Sequence, residues 1–518
     1  MQVETAIPVF IGYTERAGAG TKNLLNVPTR IDSLKDFEEN YGRAFLQPFI
    51  LAEPDTPVPA TENLGVPSVS ITFRKDRQRQ FSLRPTGDGQ NPLFYLYPSI
   101  RLFYQNGGAT CYIVSVGSYE EKRVALTSDF TTALEALIYE QDPTLVVCPD
   151  ALRLSEANYY AVATQQLAHC ADVQSRMAIF DVYRGATAQM SELNGADSPI
   201  EAFRAGIGQN FLNYGVAYFP WVNTMVMGDA EVTFRNLEAA TLVLLRDTLN
   251  PATPQTGATE VRVPALQAGS AEKTQNIFDQ ALALLADDAL PTAKALAARR
   301  TTIHNALLVA FPDYALLIQA MVHYLNTLPV ASAMAGVYTA VDGARGVWKA
   351  PANVGLNGVV TPTVNLSDAG QESLNIDAVS GKSINAIRAF RGLGVLVWGA
   401  RTLDGNSQDW RYVNVRRTMI MIEQSVKLAA HSYVFEPNDA NTWSTVKSMI
   451  NSFLFSLWKQ GALAGTVPAD AYQVVVGLGS TMTADDVLNG YLNVTVLVAI
   501  ARPAEFIALT FRQQMQKS

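Results

Sequence analysis

Read for the spacing of apolar and polar positions, the chain alternates short apolar runs with segments of helical period. Residues 5–12 form a short apolar run closed by Gly12, which predicts a strand. Asp32 or Ser33 can cap a helix that runs through Leu34, Phe37 and Tyr41 to Gly42. Residues 66–73 and 80–83 predict strands around a charged turn, and 98–104 a helix stopped by Asn106-Gly107-Gly108. After a strand at 111–116 the two periods alternate. Helices at 131–139, 156–168 and 200–203 lead to strands at 144–148, 177–182 and 216–219. Such alternation predicts a mainly parallel sheet covered by helices.

The texture then changes. Residues 250–270 are rich in Pro, Thr and Gly and read as a loop, and 271–328 form an Ala-rich helical block broken near Pro291 and Pro312. Strands at 384–390 and 395–398 precede two long helices. The second of these, 441–459, puts Trp443, Val446, Ile450, Phe453, Leu454 and Leu457 on one face and Ser444, Lys447, Ser448, Asn451 and Ser452 on the other. Asp439 or Asn441 can cap it and Gly461 can end it. Residues 471–476, 490–501 and 505–512 are strand-like, and in the last of them Ile507, Leu509 and Phe511 alternate with Ala508, Thr510 and Arg512. The chain thus starts and finishes in strand segments with no obvious partner beside them in sequence.

Composition narrows the function. Charged residues are 17 %, against about 25 % in an average globular domain. Some surface is then expected to be hidden by partners, although Ala and Gly richness also dilutes charge. The net charge of −8 argues against a duplex nucleic-acid binder. The densest basic cluster, Arg74, Lys75, Arg77 and Arg79, is interrupted by Asp76 and reads as a solvated hairpin end. Cys111, Cys148 and Cys170 are too widely spaced for a disulfide framework or a metal knuckle, and Cys148 follows an apolar run, as a buried thiol does. No apolar stretch approaches the roughly 20 residues of a membrane span, and the first residues lack a basic leader region. Synthesis and assembly in the cytoplasm, without membrane insertion, are expected.

Motifs for chemistry are incomplete. Gly381-Lys382-Ser383 lacks the glycine that a phosphate loop needs five residues earlier, where Ile376 stands. Gly477-Leu478-Gly479 and Gly392-Leu393-Gly394 lack the third glycine of a dinucleotide fingerprint. His169, His304, His323 and His431 sit in no zinc-protease pairing. Glu120-Glu121 and Asp485-Asp486 are adjacent, so their side chains diverge. No catalytic, cofactor-binding or metal-ligating residue is expected, and the chain is expected not to be an enzyme.

The specific signal lies in long non-catalytic stretches. They are Arg345-Gly346-Val347-Trp348-Lys349-Ala350-Pro351-Ala352-Asn353, Ile384-Asn385-Ala386-Ile387-Arg388, Val397-Trp398-Gly399-Ala400-Arg401-Thr402-Leu403, Val413-Asn414-Val415-Arg416-Arg417, Val434-Phe435-Glu436-Pro437-Asn438-Asp439, the run from Leu457 to Gly465, and Arg502-Pro503-Ala504-Glu505-Phe506-Ile507. In order and wording they resemble the tail sheath family of contractile phages, R-type bacteriocins and extracellular contractile injection systems. The resemblance is nearly continuous over 335–511, while 184–328 resembles no family.

That resemblance implies an α/β fold: a subtilisin-like core without protease activity, an α+β C-terminal sheath domain, and extended N- and C-terminal strand arms. The division it suggests is an N-terminal arm at 1–20, an α+β part at 21–127, the subtilisin-like domain at 128–383 with an inserted decoration at about 184–328, the sheath domain at 384–503 and a C-terminal arm at 504–518. It implies a structural subunit that polymerises as a helical sheath around an inner tube and contracts to drive the tube through a target envelope. Partners would be further copies of the chain, the tube protein, and baseplate and terminal cap proteins, without nucleic acid. The particle would be a phage tail or tail-like body assembled in the bacterial cytoplasm, its release from the cell left open. Thr5, Ile7, Val9 and Ile11 at one end, and Glu505, Ile507, Leu509 and Phe511 at the other, would be arms donated to sheets of neighbouring subunits; the competing reading pairs both strands at home. Lys447 and Lys459 are the tube-facing candidates, against ordinary solvated lysines. The rival function is a subtilisin-like hydrolase on the same core.

Overall fold

In the computed structural model, residues 2–505 are described except 19, 53–68, 74–79, 87–91, 121–123, 187–197, 252–259, 267–273, 376 and 378. The predicted arm segments beyond Glu505, with Ile507, Leu509 and Phe511, and the basic cluster at Arg74–Arg79 lie outside these residues.

A nine-stranded sheet organises the chain. Its strands are β1 (Pro8–Thr14), β2 (Thr29–Ile31), β3 (Cys111–Ser118), β4 (Leu145–Val147), β5 (Met177–Asp181), β6 (Gly215–Phe219), β7 (Val354–Gly355), β8 (Asn385–Phe390) and β9 (Gly394–Trp398). Their spatial order is β7-β9-β8-β6-β5-β4-β1-β3-β2. The six strands from β8 to β3 are parallel, and antiparallel strands close the sheet on both sides. Helices cover it: α1 (Leu34–Tyr41), α2 (Leu96–Gln105), α3 (Thr127–Ala136), α4 (Glu156–Val173) and α5 (Ala331–Arg345). The predicted cap of α1 is present, with Ser33 Oγ accepting the Asp36 N–H at 3.1 Å. The Ala-rich block holds three helices, Ile277–Ala283, Ala293–Ala310 and Pro312–Leu325, with the breaks near the two prolines as the pattern predicts. No single described helix is long and apolar enough to cross a membrane.

The N-terminal strand corrects an expectation. Ile7, Val9 and Ile11 are not an arm: β1 lies inside the sheet, with Val9 opposite both Tyr112 and Val146, and all seven residues of the strand are buried. Thr5 is also held at home, its hydroxyl donating to Asp342 Oδ2 at 2.6 Å. A strand buried on both faces reads as a continuous apolar run, and its parallel partners must lie far away in sequence. The missing local partner was therefore the mark of a central parallel strand. Strands β8 and β9, which follow the expected division at 384, also belong to the large sheet.

The C-terminal region adds α6 (Val413–Ala430), α7 (Ala440–Lys459), and a two-stranded antiparallel sheet of β10 (Tyr472–Val476) and β11 (Val494–Val498). A second, smaller core forms there from Met421, Ile422, Val446, Ile450, Leu454, Leu457 and Val474. Helix α6 joins the two cores: Val413 and Ile420 pack in the large one, and Met421 and Ile422 in the small one.

Candidate assembly surface

In an open parallel sheet, ligands usually bind outside the carboxyl ends of the strands, where helix N-termini attract anions. Here two buried aspartates fill such places. Asp150, just after β4, accepts the Tyr13 N–H at 2.7 Å and the Tyr95 N–H at 2.6 Å, the latter at the start of α2. Asp181, the last residue of β5, accepts the N–H groups of Val330 at 2.6 Å and Ala331 at 2.9 Å, at the start of α5. Burial pushes the Asp150 carboxyl up to about 6, opposed by Arg153 and the backbone N–H donors. Burial pushes the Asp181 carboxyl up to about 7.

The other candidate chemical groups are also engaged. His169 lies 3.2 Å from Arg176 Nη1, and burial with that positive charge lowers its imidazole to about 4. His304 bonds the Tyr314 hydroxyl at 2.9 Å. Lys382 is buried and donates to the Arg204 carbonyl. Among the described residues no group of three or more His, Cys, Asp or Glu is placed to hold a metal ion.

The unfinished surface is in the C-terminal region. Strands β10 and β11 pair from Tyr472↔Val498 to Val476↔Val494. Val474, Val494, Val496 and Val498 turn toward the small core beneath α7, while Gln473, Thr495 and Leu497 face solvent. Among the described residues no third strand joins this sheet, so each strand keeps an outer edge of backbone donors and acceptors. Both strands are rich in β-branched residues, and residues 460–501 contain no Lys, Arg or His. An edge without lysine or other charge invites a further strand. The loop before α7 presents Phe435 wholly to solvent at φ 72°, a backbone region that a bulky side chain occupies only at a cost. Asn438 of that loop donates to the carbonyl of Tyr491, itself 61 % exposed.

Lys447 is exposed on α7, and Lys459 places its Nζ 4.6 Å from the Phe455 ring. The helix brings them no closer: they lie more than three turns apart, on faces about 120° from each other. Helix α7 carries no acidic residue.

Glu505 is fixed within its own chain. Arg401 Nε and Nη2 bond its two carboxylate oxygens at 2.9 and 2.6 Å. The Asn375 amide donates to it at 2.6 Å and the Tyr412 hydroxyl at 3.0 Å. Burial alone would raise this carboxyl, but the donors, Arg401 foremost, hold it below its usual value. A second buried pair joins Arg417 of α6 to Asp342 of α5, and Arg417 also donates to the Thr5 carbonyl at 2.8 Å. Sequence reasoning missed Asn375, Tyr412 and Asp342. Asp342 did leave a signal, as the sole acid in helix α5.

Comparison with known proteins places these features. Residues 406–514 match the phage tail sheath C-terminal domain family. The chain is 28 % identical over 136 residues to the tail sheath protein of Vibrio phage KVP40, covering 26 % of this chain and 20 % of that one. It is 29 % identical over 142 residues to the tail sheath protein of Burkholderia phage BcepMu, covering 26 % of this chain and 29 % of that one. The match therefore spans less than a third of the length of either relative. Over the whole chain the fold resembles a chain of the anti-feeding prophage baseplate, with TM-score 0.57 and 25 % identity over 99 % of this chain and 96 % of that one. It resembles the helical sheath of the same particle in the contracted state, with TM-score 0.56 and 25 % identity over 99 % and 96 %. The sheath of the extracellular contractile injection system PVC, also contracted, has the same fold, with TM-score 0.56 and 24 % identity over 99 % and 93 %. The chain thus carries a C-terminal region that matches the phage tail sheath C-terminal domain family, and it shares a mixed α/β fold with contractile sheath chains along nearly its full length.

Proposed function

We propose that this chain is the structural sheath subunit of a contractile injection machine and not an enzyme. Copies polymerise as a helical sleeve around an inner tube, and the sleeve contracts to drive the tube through a target envelope. The carrying observation is the two-stranded β10–β11 sheet, open at its edges among the described residues and without a basic residue over a long stretch of sequence. Residues 506–518 are the segment that bridges to it from a neighbouring copy, adding a strand through backbone pairing. With many copies, each weak link gains from the others.

The family relationship supports a lattice that contacts itself and a baseplate. An inner tube and a terminal cap complete the set of partners, within a phage tail or tail-like particle assembled in the bacterial cytoplasm. Lys447 and Lys459 are the tube-facing candidates, because α7 offers positive charge without any carboxylate. The six parallel strands and their helical cover are compatible with a subtilisin-like core, and the section at 184–328 with a decoration of it. The hydrolase alternative finds no support in crevices occupied by Asp150 and Asp181.

Truncation after Glu505 tests the proposal. The shortened chain should remain folded by circular dichroism yet fail to form sheath-like polymers in negative-stain micrographs. Normal polymers from it would refute the bridging role. Deleting residues 1–12 is not an equivalent test, since it removes a core strand.

A further inference from the structure

The path of the chain after β11 is unusual. Among the described residues, 494–498 pair only with β10, in the small sheet. Residues 499–501 then run beside 462–464, with Ala464 N–H on the Ala499 carbonyl at 2.7 Å and Ala501 N–H on the Ala462 carbonyl at 3.1 Å. Only a few residues later the chain has left the small core. Glu505 is gripped by Arg401, whose side chain is 4 % exposed. Arg401 is itself tied to the large sheet: its N–H donates to Asn385 Oδ1 at 2.7 Å, and its carbonyl accepts from Asn385 Nδ2 at 2.8 Å. Asn385 is the first residue of β8 and fully buried. Asn375 and Tyr412, the other two donors, also belong to segments outside the small core. At the intervening position Ala501, Asn414 of α6 holds the carbonyl at 3.1 Å.

Glu505 stands between β11 and residues 506–518 in sequence, so tension entering from that segment meets Glu505 before β11. Without an attachment at that point, tension would load the few hydrogen bonds of residues 499–501 and then peel β11 from β10, its one strand neighbour among the described residues, one pair at a time. The contact is bidentate, charge-assisted and largely shielded from solvent, which makes it a strong non-covalent grip.

We propose that the Arg401–Glu505 clasp is a strain relief: it diverts tension from the C-terminal segment into the large sheet through Asn385 and β8, and so shields the β10–β11 sheet from the pull of neighbouring copies. This rests on the reading of residues 506–518 as an inter-subunit link. The sheet that receives a neighbour's strand thereby stays intact while the same chain's own tail is under load.

The test compares amide hydrogen exchange in free protein and in polymers, for the full chain, for E505Q and for the chain ending at residue 505. In free protein no tension acts, so E505Q should exchange at residues 494–498 within about twofold of the parent. In polymers the parent should keep these amides protected, whereas E505Q should lose protection there tenfold or more. The charge-swapped double variant R401E with E505R should restore part of it. Equal protection of 494–498 in E505Q and parent polymers would overturn the strain relief. Unimpaired polymerisation of the chain ending at residue 505 would instead overturn the linking role, and with it the source of tension. Should E505Q fail to fold, Y412F, which removes one donor and leaves the ion pair, serves the same comparison with a smaller loss.

Discussion

Arg417 and Asp342 meet in a two-pronged contact, Nη1 to Oδ1 at 2.9 Å and Nη2 to Oδ2 at 2.6 Å, with side chains only 3 % and 6 % exposed. The pair joins α6 to α5, and so the C-terminal region to the helical cover of the main sheet. Arg417 also lies over the Tyr338 ring at 4.6 Å. Removing one partner strands a buried charge, which costs roughly 3–5 kcal/mol. D342N should therefore lower the free energy of unfolding, measured by denaturant titration, by an amount in that range. A loss below about 1 kcal/mol would mean that solvent reaches the guanidinium.

Asp181 makes stability depend on pH in an unusual direction. Its carboxyl is raised from 3.8 to about 7 in the folded chain by burial. The folded state thus binds the proton more tightly than the unfolded one. The corresponding stabilisation is complete below about pH 4 and is lost as pH rises toward and through 7, amounting to a few kcal/mol. D181N keeps an oxygen for the Val330 and Ala331 N–H groups, so it should flatten this slope in denaturant titrations run from pH 4 to 8. D181A leaves those groups unpaired and should cost about 1–3 kcal/mol at every pH.

The exposed face of the small sheet should matter for assembly and not for folding. Leu497 is 55 % exposed, so L497K should leave the unfolding free energy within about 0.5 kcal/mol of the parent. Placing a charge at that contact should raise the critical concentration for polymerisation tenfold or more, which is about 1.4 kcal/mol per contact. Light scattering during assembly measures it. An unchanged threshold would remove this face from the interface.

Phe435 offers a separation of the same kind. Glycine tolerates φ 72°, so F435G should keep or raise monomer stability by up to about 1 kcal/mol while weakening polymers. If polymer yield is unaffected, the exposed ring serves no contact.

Charge reversal at Lys447 tests the tube-facing assignment. K447E should preserve the fold and self-association but reduce co-sedimentation with tube particles, more so at low salt. Normal co-sedimentation at all salt concentrations would return Lys447 to the ordinary surface.

How much of this was readable from sequence depended on the range of the interactions. Helix α7 was legible because its core face, Val446, Ile450, Leu454 and Leu457, repeats within one local segment. The cap at Ser33 was legible for the same reason. Strand β1 was seen but misplaced, since nothing local distinguishes a central parallel strand from a detachable arm. Arg401 stood in a recognisable stretch, yet its partner lies 104 residues away, and no spacing rule links them. Asp150 and Asp181 follow apolar runs, but the N–H groups they satisfy come from distant points of the chain, in β1 and at the starts of α2 and α5. The resemblance to sheath proteins rests on many short stretches in the same order, whereas the clasp joins residues that no local pattern links.

The continuity of α6 has a mechanical corollary. One unbroken helix is seated by Val413 and Ile420 in one core and by Met421 and Ile422 in the other, with no proline or glycine among its residues to form a joint. Bending the protomer there would mean breaking helical hydrogen bonds and opening two packed interiors together. Shortening of a tubular array built from such protomers must then come from changed angles at the seams, with every molecule keeping its own shape from start to finish.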